Sequence, residues 1–198
     1  PAVIETGVKL VSLASLFRAP LNDPQAVYLL ARKAKENGAI LCADTKVPVF
    51  QDLKLDNFRK TLELIDYIFP NETEAAFFSG HLPDDPITNE DYRIMAKAFL
   101  ELGVKNVIIK AGKEGCFFTD GKTELIRKAF PVSITDSTGA GDNLTAGFIS
   151  SLLEGKKIPE CLAFACATAA ISLQSSGAVS GVKSKAQVRA FLDQHANK

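Results

Sequence analysis

The 198-residue sequence predicts an α/β fold on a mostly parallel sheet, and three features carry that prediction. Short apolar runs of strand length alternate with segments whose apolar residues recur at helical spacing. The first such alternation is strand, helix, strand, which is the unit of a parallel sheet. Hydrophobic content of 46% and charge of 23% are globular values, so residues 1–198 are expected to form a single domain around one core.

In chain order, Val8, Leu10, Val11, Leu13 and Ala14 give residues 8–15 an apolar run between Gly7 and the polar turn near Arg18, a predicted strand buried on both faces. Asp23 as cap and Pro24 at the first helical position open a helix, with Val27, Leu30, Ala31 and Ala34 as its inner stripe and Gly38 as its stop. Residues 39–43 form the next strand, which ends at Asp44, and parallel sheets bind ligands at the carboxyl ends of their strands. Leu55, Phe58, Leu62 and Ile65 predict a second helix. Residues 67–69 form a short strand leading into Asn71 and Glu74, spaced as a helix capping box.

Residues 81–86 make a polar loop with Asp84 and Asp85 in a solvated turn. Thr88 and Asp91 then open a helix bearing Tyr92, Met95, Phe99 and Leu102, closed by Gly103. Residues 106–111 and 116–119 are two strands joined by the turn from Gly112 to Gly115, a predicted hairpin. Leu144, Phe148 and Leu152 form the stripe of a helix closed by Gly155. Pro159 starts a buried helix, and Ser184 with Gln187 caps a last one whose Val188, Phe191 and Leu192 face inward.

Composition narrows the function. Lys plus Arg equals Asp plus Glu at 23 each, without a long block of one sign, so neither nucleic acid nor an anionic membrane is the expected partner. The run at residues 161–173 is too short to span a bilayer. Cys42, Cys116, Cys161 and Cys166 lie in apolar runs without a C-x-x-C pair, which predicts reduced, buried thiols in a cytoplasmic protein. His81 and His195 lack ligand spacing, so a structural zinc site is not expected.

The chemistry concentrates in Asp136-Ser-Thr-Gly-Ala-Gly-Asp142, immediately ahead of the Leu144 helix. Small residues at Gly139, Ala140 and Gly141 admit a ligand close to the backbone, where a helix start offers unpaired N–H groups and a partial positive charge. A carboxylate, Asp142, beside an anion site is repulsive unless it accepts a proton from an attacking hydroxyl. No Lys follows the glycines, as a phosphate loop would require, and Leu144 stands where a dinucleotide fingerprint needs its third small residue. A Gly-rich helix entry with Asp142 capping the first turn is the alternative.

This segment resembles the C-terminal signature D-[TS]-T-G-A-G-D of the ribokinase-like, or PfkB, family of sugar kinases. The resemblance implies a three-layer α/β/α fold with helices on both faces of the sheet. It also implies an ATP-dependent phosphotransfer to an alcohol of a small sugar or sugar-like molecule. Asp142 is then similar to the catalytic base, and the N–H groups from Gly139 through Ala140 and Gly141 to Asp142 to the anion hole. Asp136 and Thr138 would help bind a monovalent cation such as K⁺.

Asn71 and Glu74 match the family's N-x-x-E, implying that they order Mg²⁺ and phosphate waters as well as cap a helix. Gly112 and Gly115 match a T-x-G-x-x-G loop that lies along the nucleotide, with Lys110 in place of Thr and able to reach a phosphate. Aligning Gly177-Ala178 on the family's G-A pair puts Cys166 where a polar residue often lies beside adenine, and Gly177 near the nucleotide. Asp44, Lys46 and Pro48 occupy the place of D-x-N-x-R, with Lys46 and Pro48 replacing Asn and Arg; Lys46 could face an anion as a point charge.

The resemblance covers only about the last two thirds of the family's length, so the sugar-binding front and lid are expected ahead of Pro1, and a homodimer formed through that lid is open. A kinase for adenosine or a pyridoxal-type vitamin, and a nucleotide-binding module without phosphotransfer, are the rival readings. A dehydrogenase is disfavoured by Leu144.

Overall fold

A computed structural model describes residues 7–48 and 53–195. Six strands, β1 (Leu10–Leu16), β2 (Ile40–Thr45), β3 (Tyr67–Phe69), β4 (Val107–Lys110), β5 (Cys116–Thr119) and β6 (Glu124–Arg127), lie in the sheet in their sequence order. The first four pair in parallel, with Leu10 opposite Ile40, Cys42 opposite Tyr67 and Ile68 opposite Val107. The chain divides into two compact units, one of Pro1–Ile109 with Phe117–Glu124 and the other of Lys110–Cys116 with Leu125–Lys198.

In the first unit, α1 (Pro24–Glu36) begins as expected: Asp23 accepts from the Ala26 N–H at 2.7 Å, and Val27, Ala31 and Ala34 are buried. β1 departs from expectation. Ser12 and Ala14, two apart and so on one face of the strand, are exposed, and its register with β2 shifts between Leu13 and Leu16. The predicted second helix is a 3₁₀ turn, Leu55–Phe58, running into the single turn α2 (Arg59–Leu62). Leu55, Phe58, Leu62 and Ile65 are all buried, so the apolar spacing found the packed face but not the length of the helix.

Next come α3 (Glu72–Ser79), ending at Gly80 in the left-handed region, and α4 (Asn89–Leu100), opened by the reciprocal Thr88–Asp91 box. β4 and β5 neighbour one another across a 3₁₀ turn, Gly112–Glu114, closed by the Ala111 N–H donating to Gly115 O at 2.9 Å. This is the expected hairpin.

The second unit holds α5 (Ala140–Leu152), α6 (Ile158–Leu173) and α7 (Lys185–His195). α6 is buried along most of its length. Gly147 of α5 meets it so closely that a Cβ there would stand 2.5 Å from Thr168 Oγ1. Val188 of α7 packs with Phe164, Ala167 and Ile171 of α6, and Phe191 and Leu192 lie against that cluster. No helix among the described residues is long and apolar enough to cross a membrane.

Candidate active site

The Gly turn is the N-terminus of α5. Gly139 is its N-cap, at φ 75 and ψ 4, a left-handed conformation that favours glycine, and a Cβ there would come within 2.6 Å of Ala178 Cβ. Asp136 and Asn143 fix the turn from either side. Asp136 Oδ1 accepts the Thr138 N–H at 2.9 Å, and its Oδ2 accepts the Gly177 N–H at 2.8 Å. Asn143 Nδ2 donates to the carbonyls of Gly139 and Ala178, at 2.9 and 2.8 Å. The turn is thus clamped to the Gly177–Ala178 loop before any ligand arrives, which is the preorganisation that anion stabilisation needs.

Within that frame, the donors are not equivalent. Ala140 gives its N–H to Ser137 O at 3.2 Å, and the Asn143 N–H closes onto Gly139 O at 2.9 Å. The N–H groups of Gly139, Gly141 and Asp142 have no acceptor among the described residues. Ala140 therefore drops out of the donor set expected from sequence, and three donors remain at the positive end of the α5 dipole. Asp142 is exposed, and no described side chain pairs with it. Leu144 and Phe148, 6% and 0% exposed, anchor the helix that carries it.

A cavity of about 470 Å³ opens beside this turn, lined by Ala140, Gly141 and Leu144 of α5, by Lys110, Gly112 and Gly115, by Phe130, and by Cys166, Ala169, Ala170 and Leu173 of α6. The size is that of a small-molecule site. Lys110 is buried, and a Cβ on Gly141 would lie 3.6 Å from its Nζ, so the ammonium stands at the α5 start. Gly112, Gly115, Lys110 and Cys166 thus line one cavity. The glycine at 115 has a further cause: at φ 101, a Cβ would press on the Arg127 carbonyl and come 2.6 Å from Ala129 N. Its identity is set by backbone crowding.

Three of the sequence-predicted residues have protein partners of their own. Asp136, expected beside a monovalent cation, spends both carboxylate oxygens on backbone N–H groups; those of Thr138 and then Gly177 hold its carboxyl down to about 2. Gly177 reaches the site through that same bond, as a donor to Asp136. Lys46, expected to face an anion, instead sits with its Nζ 3.6 Å from Glu74 Oε1. Asn143 was missed altogether. An Asn in the first turn of a helix, where its amide can reach nearby backbone, was the available signal.

The N-x-x-E corner lies at the start of α3 in the first unit. Asn71 Oδ1 accepts the Glu74 N–H at 2.8 Å, and Glu74 Oε2 accepts the Asn71 N–H and the Thr45 hydroxyl, each at 2.9 Å. The capping box is therefore real. With its side chain 4% exposed, Glu74 turns Oε1, among the described residues, only to the longer Lys46 contact. A carboxylate with one oxygen less occupied fits a hydrated Mg²⁺ held through water, since Mg²⁺ dehydrates reluctantly.

A clamped helix start with spare amides, an exposed carboxylate and an adjoining cavity thus lie together in the second unit of an α/β protein. The profile of the pfkB family of carbohydrate kinases matches residues 6–185, and the chain belongs to that family. A ribokinase from Haemophilus influenzae is 34% identical over 84% of this chain and 52% of its own. Adenosine kinase 1 of Arabidopsis thaliana is 31% identical over 78% and 47%. The Arabidopsis thaliana ribokinase solved with ribose and ATP superposes with a TM-score of 0.74 at 30% identity, over 85% of this chain and 52% of that one. An E. coli chain described as a ribokinase II, with ATP and Mg²⁺, gives 0.73 at 27% identity over 93% and 58%. The fold is the three-layer ribokinase-like one, and the chain spans about half the length of these relatives.

Proposed function

We propose that the chain carries the phosphoryl-transfer half of an ATP-dependent kinase acting on an alcohol of a sugar or sugar-like substrate. The observation that carries this reading is the pairing of an exposed Asp142 with three spare N–H groups at the start of its own helix. Phosphoryl transfer asks the protein mainly for positioning and for donors aimed at charge on the moving group. The N–H groups of Gly139, Gly141 and Asp142 supply those donors, and Lys110 adds positive charge. Asp142 takes the proton of the attacking hydroxyl. The cavity walled by Phe130, Leu144, Cys166 and Ala170 suits a flat, largely apolar base and so seats the adenine. When bound, Mg²⁺ would neutralise phosphate charge, and Asn71 and Glu74 of the first unit are the residues that fit such an ion through water.

The relatives include an adenosine kinase beside the ribokinases, which supports a nucleoside as a second acceptor class. A panel of ribose, other sugars and adenosine separates the two. For the mechanism, the test is Asp142→Asn. General-base catalysis contributes roughly 10² to 10⁴ in rate, so kcat should fall by at least about 10² while ATP affinity stays near that of the parent. Near-normal turnover would remove Asp142 from the role of base.

A further inference from the structure

Two thiols meet in the wall of the cavity. Cys166 of α6 lines it, and Cys116, the first residue of β5, stands behind, with the two Sγ atoms 3.6 Å apart. Both residues are buried, at 3% and 1% exposed, yet Cys166 adjoins a void far larger than a peroxide molecule. Arg127 completes the cluster: its carbonyl lies 3.8 Å from Cys166 Sγ, and its Nε is buried without a hydrogen-bond partner among the described residues. A thiol beside a second thiol, at the edge of a cavity, is the setting of a reactive cysteine with a resolving partner.

We propose that Cys116 and Cys166 form a redox-convertible dithiol, oxidised to an intramolecular disulfide by a hydroperoxide that enters the cavity. The Cys166 thiolate attacks one peroxide oxygen, breaking the O–O bond; the sulfur becomes a sulfenic acid and the other oxygen leaves as hydroxide or alkoxide, reduced by the two electrons the sulfur gave up. Cys116 sulfur then attacks the Cys166 sulfur, its proton joins the departing hydroxyl as water, and an S–S bond forms. An external dithiol reverses the step by the same exchange chemistry.

The division of labour follows from the site. The hydrogen bond with Cys116, and then the charge of Arg127, favour the Cys166 thiolate, whereas the bond to Cys166 and burial push the Cys116 thiol up so that it keeps its proton. An S–S bond of about 2.05 Å requires the sulfurs to move roughly 1.5 Å nearer, a side-chain displacement. Cys42, whose thiol burial pushes up to about 12, and Cys161, also raised by burial, are internal controls.

The experiment treats the chain with hydrogen peroxide, digests it without reductant and maps linked peptides. A Cys116–Cys166 link that dithiothreitol removes, with Cys42 and Cys161 still titratable, is the expected result. Cys116→Ala should then leave a sulfenic acid on Cys166 that dimedone traps, and Cys166→Ala should leave Cys116 unmodified. A link involving Cys42 or Cys161, or no link while Cys166 is over-oxidised, would overturn the proposal.

That oxidation and ATP compete rests on the proposed function, which seats the nucleotide in this cavity. ATP at ten times its Kd should slow link formation about tenfold, because only the empty cavity reacts. A link that forms at the same rate with ATP bound refutes the nucleotide's seat and the competition, and leaves the dithiol itself standing.

Discussion

Asp136 holds the turn by accepting from two backbone N–H groups, and those bonds set its titration. Its carboxyl lies at about 2 against an ordinary 3.8. Because the folded value is depressed, the stability it contributes is complete above the ordinary value and is lost as pH falls through 3.8 toward 2. Asp91 titrates in the same window, also near 2, so the wild-type curve alone is ambiguous. The difference between wild type and Asp136→Asn isolates the group: urea unfolding should show wild type the more stable at pH 5, with the gap shrinking as pH falls toward 2. At this scale the sequence displayed the chemistry better than its wiring. Asp142, Gly139 and Gly141 were legible because their spacing is local to one helix start. The clamp was not, because Asn143 and Asp136 reach Ala178 and Gly177 across a separation that a single sequence does not reveal.

Elements were legible where local chemistry decides them. The caps at Asp23, Asn71 and Thr88 need only neighbouring residues, and each appears with its predicted bond. α2 and β1 were misjudged because apolar spacing reports burial, not hydrogen-bonded length or how many faces of a strand are covered. The α5–α6 contact depends on both helices. Gly147→Ala would set a Cβ 2.5 Å from Thr168 Oγ1 and 3.1 Å from Ala165 Cα, so it cannot be relieved by one flexible side chain. Overpacking of this kind costs about 1–3 kcal/mol, and against backbone and a β-branched side chain that cost is expected to exceed the roughly 1 kcal/mol that alanine's better helix propensity would add. Chemical denaturation should show that net loss, and a stabilised variant would contradict the close approach.

For the molecule as a whole, the parallel sheet was readable from the alternation of strand and helix and the family from three short motifs in sequence order, and the match to residues 6–185 bears out the family; the order of the strands was not readable. What selects the acceptor was not readable, since the chain spans about half of its relatives' length. The division of labour proposed for this half is nonetheless sharp: amides at the α5 start receive phosphate charge, and the carboxylate one step along receives a proton. An amide-resolved NMR titration with ATP and Mg²⁺ addresses it most directly. The resonances of Gly139, Gly141 and Asp142 should move with ATP concentration together with those lining the adjoining cavity. Saturable ATP binding that leaves these three amides unmoved would contradict the account.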